Sequence, residues 1–173
     1  MTLTPLLEAP TIIVVHAVSA VMALLLGAVQ LFRKKGDPVH RFIGASWVAL
    51  MLMVSLSSFL IWTIRVWWLF SPIHLISIFT LVMLWRGIGF ARRGNIKAHS
   101  RTMEYLYFLA LVVTGLLTFI PGRAMYFVAF GTEGATPMKL VVFGVLIVLI
   151  AAAFVGVMRW RAGPRGQQFI AGH

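Results

Sequence analysis

Five histidines occur in this 173-residue chain, and four of them hold matching places in two similar stretches. His16 to Arg41 reads HAVSAVMALLLGAVQLFRKKGDPVHR, and His74 to Arg101 reads HLISIFTLVMLWRGIGFARRGNIKAHSR. Each opens on His, carries Ser three residues later (Ser19, Ser77), runs through apolar residues to Phe sixteen residues on (Phe32, Phe90), and reaches Gly four residues after that (Gly36, Gly94). His40 follows Gly36 by four residues and His99 follows Gly94 by five. Neutral imidazole is a metal ligand, so two pairs of equivalent histidines are candidate metal ligands. The chain has no cysteine, which excludes a disulfide, a thiolate-held iron–sulfur cluster and a covalently attached c-type haem. Porphyrin iron would have to be held by His or Met.

The elements that must position these histidines are membrane helices. The chain is 61% apolar and 11% charged, far more apolar than a soluble core of this size requires. The expected fold is an all-α polytopic membrane protein. Its net charge of +11 would suggest nucleic acid in a soluble protein, but the basic residues cluster between apolar segments, where they mark topology. No nucleic-acid partner is expected; the lipid bilayer is.

In chain order, residues 1–11 form an outside tail with one acid, Glu8, and no Lys or Arg, opposite to the basic start of a cleaved signal peptide. A four-helix transmembrane core then occupies residues 12–121. Ile12 to Phe32 is long enough to cross the hydrocarbon layer, Arg33 to Lys35 stop it, and Gly36 caps it. Asp37 and Pro38 read as N-cap and first position of the second helix, which is expected to run to about Ile64 and end in the anchor group Arg65, Trp67 and Trp68. Ser71 and Pro72 start the third helix, with His74 in its first turn. Gly94 and Asn95 repeat the cap and restart, placing His99 early in a fourth helix that continues to Ile120. Residues 122–137 read as an outside loop, 138–160 as a fifth transmembrane helix, and 161–173 as a cytoplasmic tail.

Lys and Arg concentrate after helices 1, 3 and 5, against Arg65, Arg123 and Lys139 on the other side, which puts the N-terminus outside. His16 and His74 then lie near the outer face, His40 and His99 near the cytoplasmic one. The two repeats are helical hairpins that start on the same side, hence parallel repeats about a pseudo-twofold axis along the membrane normal. That axis sets His16 opposite His74 at one level and His40 opposite His99 at the other. Two trans imidazoles are what a six-coordinate b-type haem needs, because the porphyrin fills the other four iron positions. Sixteen residues of helix span roughly 24 Å, so two such haems would lie near opposite faces.

Small residues on the helix faces, Ala20, Ala23 and Gly27 on the first and Gly44 one turn after His40 on the second, suit a flat macrocycle and equally suit close helix packing. Arg33, Arg41 and Arg101 are positive-inside markers that could also pair with haem propionates. Taken singly, each histidine is better explained as an interfacial polar side chain; the joint pattern argues for haem ligation. Glu104, near His99, could exchange protons or simply sit at a solvated helix start.

The run H…FRKKGDPVHRFIG followed by SPIHLIS resembles the core of the cytochrome b561 family, in which alternate helices supply the axial ligands of two non-covalent haems b. The resemblance implies the same pairs, His16 with His74 and His40 with His99. It covers about residues 12 to 123, has five spans where that family has six, and lacks its ascorbate-site motif. With RRGNIKAH, SSFLI and TFIPGR, the segment is also similar to a family of small bacterial predicted membrane proteins of uncharacterised function. The functional expectation is a b-type cytochrome carrying electrons across or within the cell inner membrane, with quinol or another redox protein as partner, acting as a transmembrane electron carrier or quinol-linked oxidoreductase. The alternative is a non-redox accessory or assembly subunit of a larger membrane complex. A proton-coupled transporter is disfavoured, since no acid lies deep in a span.

Overall fold

In a computed structural model, described over residues 4–61, 72–119, 124–131 and 136–163, every regular element is a helix. The elements are α1 (Thr4–Leu7), α2 (Thr11–Phe32), α3 (Pro38–Ser58), α4 (Pro72–Arg92), α5 (Ile96–Tyr105), a π-helical stretch (Leu106–Val113), α6 (Thr114–Leu117), α7 (Ala124–Phe130) and α8 (Pro137–Ala162). Three of them, α2, α3 and the part of α4 from His74 to Arg92, are long and apolar enough to cross a membrane. The chain is a polytopic helical membrane protein.

Local chemistry accounts for the two tight turns. Gly94, with φ +74°, follows α4 after Arg93 in a left-handed conformation that costs a residue with a Cβ, whereas α2 was expected to be capped by Gly36 and instead ends at Phe32 on an extended Arg33, leaving Gly36, φ +86°, to turn the chain in the loop before α3. The following helices restart on side-chain caps: the Asp37 carboxylate accepts from the His40 N–H at 2.6 Å, with Pro38 in the first turn, and the Asn95 carbonyl accepts from the Ala98 N–H at 3.1 Å. The Lys35 ammonium donates to the Gln30 and Leu31 carbonyls at the end of α2. Turns this short force α2–α3 and α4–α5 into hairpins. These pack along one another, α3 packs on α4, and the π-helical stretch touches both α2 and α4, closing a four-helix bundle.

The bundle's centre is Ala23, Trp47, Met51, Leu84, Leu106, Tyr107 and Leu111. On α2 the buried positions are Ser19, Ala23 and Gly27, a small residue every fourth position that lets neighbouring elements approach the backbone. The Trp47 indole N–H donates to the Ala23 carbonyl at 3.0 Å. A Cβ on Gly27 would stand 2.4 Å from Tyr107 Cδ2 and 2.8 Å from Trp47 Nε1. The small-residue face around Ala23 and Gly27 therefore serves helix packing.

Several boundaries differ from those expected. Helix α3 ends at Ser58, short of Ile64. Ser57 and Ser58 turn their hydroxyls back to the Val54 and Ser55 carbonyls at 3.1 and 2.7 Å, and the Phe59 and Leu60 N–H groups close tight turns onto Leu56 and Ser57. The anchor group Arg65, Trp67 and Trp68 lies outside the described residues, as do Ser71, Ile120 and Arg123. The fourth helix is α-helical only to Tyr105 and then widens over Leu106–Val113, which apolar periodicity does not announce. At its end the Thr114 hydroxyl meets both the Leu109 and Ala110 carbonyls, at 2.9 and 3.0 Å. Residues 124–130 of the expected outside loop form α7, where Tyr126 packs on Phe127 and Phe130, and α7 rests on α1 in the N-terminal tail. Helix α8, of 26 residues, stands where the fifth helix was expected.

Candidate functional site

The four histidines assemble at two levels, each built on one end of α3. At the end away from the basic turns, the last residues of α3 reach both neighbours. Ser57 meets His16 of α2, with Nδ1 and Oγ 2.9 Å apart, and Phe59 stacks on the His74 ring of α4, centroids 5.6 Å apart and planes within 19°. Ser58 and Ser77 share a hydrogen bond between α3 and α4. His74 is 5% exposed, and Ser19, Ser55, Ser57, Ser58, Ser77 and Thr80 are all buried at this end. The paired serines Ser19 and Ser77 thus occupy equivalent places in the two hairpins. Buried hydroxyls in an apolar bundle are costly unless bonded, and Ser57, Ser58 and Thr80 donate to the Val54, Ser55 and Ile76 carbonyls.

At the basic end, His40 in the first turn of α3 is gripped twice by Gln30 of α2. The His40 Nδ1 lies 3.1 Å from Gln30 Oε1, and Gln30 Nε2 donates to the His40 carbonyl at 2.8 Å. His99 in the first turn of α5 has its Nδ1 2.9 Å from the Gly87 carbonyl of α4. The imidazoles of His40 and His99 lie within electrostatic reach of one another.

These partners decide the tautomers. The Gly87 carbonyl can only accept, so His99 donates from Nδ1 and its neutral ring carries the lone pair on Nε2. Gln30 spends its amide N–H on the His40 carbonyl, so its oxygen accepts from His40 Nδ1. Ser57 spends its single hydroxyl proton on the Val54 carbonyl, so its oxygen accepts from His16 Nδ1. Three rings held by Nδ1, with Nε2 as the basic nitrogen, have the form in which metal-ligating histidines are oriented by a second contact. Among the described residues no group of three or more His, Asp or Glu is placed to hold a bare metal ion, whereas a porphyrin brings four nitrogens and asks for only two. In donor type, His16, His40 and His99 would suit a haem held by two imidazoles.

The remaining expected site residues spread around the basic end. Arg33 is ion-paired to Asp37 at 2.7 Å, with both side chains about one-third exposed (32% and 31%). Gly44 sits under the Gln30 amide, where a Cβ would be 3.0 Å from Nε2, so it makes room for the group that holds His40. Arg41 is exposed, and Arg101 lines a separate groove between α4 and α5. Sequence reasoning missed Gln30, Ser57 and Gly87. Gln30 was the one findable signal, as an amide in an otherwise apolar stretch of α2. Gly87 acts through its backbone carbonyl, which no side-chain pattern betrays.

The turn before α3 carries one carboxylate, Asp37, bonded at both oxygens. The His40 N–H, and after it the Arg33 guanidinium, hold the Asp37 carboxyl below the usual carboxylate range. A depressed carboxyl stabilises the fold at pH values above its unfolded pKa, and that contribution is lost as pH falls through the folded one. Wild-type thermal stability should therefore drop on acidification below the carboxylate range. Asp37→Asn, which caps a helix about as well, should show a smaller acid-side loss in the same detergent melts; an unchanged loss would exclude Asp37 as a source.

No curated protein and no solved structure matches the chain. A family match does cover residues 13–155, from the start of α2 to well into α8. The chain belongs to DUF2306, the family described as predicted membrane proteins.

Proposed function

We propose that this protein is a b-type cytochrome of the cell inner membrane, holding two non-covalent haems b and relaying electrons between their levels. His16 and His74 would hold one, His40 and His99 the other. The observation that carries the reading is the shared state of His16, His40 and His99, each held at Nδ1 by Ser57, Gln30 or Gly87 so that Nε2 bears the lone pair. Bound haem b supplies reversible one-electron iron chemistry. The chain's own residues orient the ligands and exclude water: Trp47, Met51, Leu106 and Tyr107 fill the interior, and Arg41 is available at the basic end to neutralise a propionate. The motif order that resembles the cytochrome b561 core implies the same pairs. Quinol is the donor class this reading favours, because the bilayer delivers it, and a larger redox complex is the natural setting.

The test is a dithionite-reduced minus oxidised visible spectrum of detergent-purified protein from haem-replete cells, with haem counted by pyridine haemochrome. A b-type band at two haems per chain is expected. A colourless, folded protein would overturn the reading and leave the accessory-subunit alternative. A second expectation concerns the orienting residue Gln30. Replacing it with leucine removes the hold on His40 without touching a ligand, and should weaken haem binding at the basic end about 10- to 100-fold. Haem titration of the stripped protein reads this directly; an unaltered affinity would show that Gln30 plays no such part.

A further inference from the structure

A groove of about 360 Å³ runs between α4 and the first three turns of α5 at the basic end of the bundle, lined by Met83, Asn95, Lys97, Arg101, Thr102 and Tyr105 among others. Lys97, Arg101 and Tyr105 are spaced four residues apart, so they rise along one face of α5. Both cations are exposed, and neither is paired with a carboxylate among the described residues: the ion pair there is Arg33 with Asp37, and Glu104 accepts from the Ser100 hydroxyl. Tyr105 is 51% exposed, as suits an amphipathic ring at a membrane interface. Met83 of α4 adds an apolar wall. A second groove, about 480 Å³ between α2 and α3, makes a useful contrast: Ser46 is the one polar side chain among Met22, Leu26, Phe42 and the other residues lining it, and its hydroxyl is turned to the Phe42 carbonyl. That groove suits acyl chains and offers a headgroup nothing.

The geometry points to the groove between α4 and α5 as a binding site for the headgroup phosphate of an anionic membrane lipid. Lys97 and Arg101 meet the phosphate, Tyr105 lies at the headgroup boundary, and Met83 contacts the start of the acyl chains. Basic pockets between transmembrane helices recognise lipid headgroups by this combination of charge and apolar wall. The site uses none of the four histidines, and it assigns Arg101, expected from the sequence as a possible propionate partner, to a lipid phosphate in its place.

Native mass spectrometry of the detergent-purified full chain, titrated with phosphatidylglycerol or phosphatidylcholine, tests the site. Phosphatidylglycerol is expected to bind at least about tenfold more tightly than phosphatidylcholine. The double variant Lys97→Gln/Arg101→Gln should lose about 25-fold of that affinity, roughly fivefold per cation. The double variant Lys34→Gln/Arg92→Gln removes equal charge from exposed positions outside the groove and should stay within about twofold of the parent. Millimolar inorganic phosphate should leave the lipid bound, since the acyl contact is part of the site. Equal losses in the two double variants would reduce the effect to net charge and overturn the proposal. So would undiminished binding in Lys97→Gln/Arg101→Gln, or displacement of the lipid by inorganic phosphate.

Discussion

His16→Ala and His74→Ala are each expected to leave about one haem per chain, and the double variant is expected to leave the same one. Both histidines stand at the far end of α3, His16 on Ser57 and His74 against Phe59, and under the proposed ligation they serve one iron. Losing either ligand abolishes the bis-His site, so the second loss adds nothing; residues acting as one unit are strongly non-additive. His40→Ala and His99→Ala should remove the other haem, and His16→Ala/His40→Ala should remove both. Pyridine haemochrome on monodisperse fractions measures the outcome. His74 is 5% exposed and stacked, so its truncation could also damage packing. His74→Met separates the two effects, because thioether is an axial ligand that raises the haem potential. That variant should retain two haems, one at a shifted midpoint. Four alanine variants with full haem content would exclude this pairing.

Gly27→Ala should be among the most damaging single methyl additions to the bundle. Its Cβ would meet the Tyr107 ring at 2.4 and 2.6 Å and the Trp47 indole nitrogen at 2.8 Å. Neither ring can flex aside as a chain end does, and moving Trp47 breaks its hydrogen bond to the Ala23 carbonyl. Overpacking of this kind costs about 1–3 kcal/mol, a fall of about 2–12 °C in melting temperature for a chain of this size. Gly87→Ala provides the comparison. Its nearest neighbour would be Met103 Cε at 2.1 Å, the free end of a flexible side chain that can rotate away, with Thr102 Cγ2 next at 3.1 Å. Gly87→Ala should cost clearly less than Gly27→Ala, and Tyr107→Ala should recover part of the Gly27→Ala loss. Equal melting temperatures for the two alanine variants would show that the Gly27 contact relaxes freely.

Much of the architecture was legible before any coordinates. Pattern and punctuation act locally: Gly94 turns the chain at the end of one helix, and Asp37 and Asn95 restart the next, through groups within a few residues of one another. The turn at Gly94 and the caps at Asp37 and Asn95 accordingly stand where the residues said, whereas the first helix ends on Arg33, ahead of the expected cap at Gly36. The exceptions are places where an alternative bonding pattern competes with the helix. At Ser57 and Ser58 side-chain hydroxyls took the carbonyls. Over Leu106–Val113 the chain widened, and Leu106, Tyr107 and Leu111 lie in the core. At Tyr126 to Phe130 aromatic contacts made a helix of an expected loop.

The candidate site divides along the same line. Duplication alone assigned four histidines to two levels, because equivalent positions in parallel hairpins must fall at equivalent heights. What each ring bonds to could be decided only by tertiary structure. The contact between His16 and Ser57 joins residues 41 apart, that between His99 and Gly87 uses a backbone carbonyl of another helix, and Gly44 makes room for the Gln30 amide that holds His40. Residue type and spacing determine which groups can reach a given height in the membrane. The tautomer of an imidazole depends on a hydrogen-bond partner within about 3 Å, and which residue stands there is settled by how the helices pack.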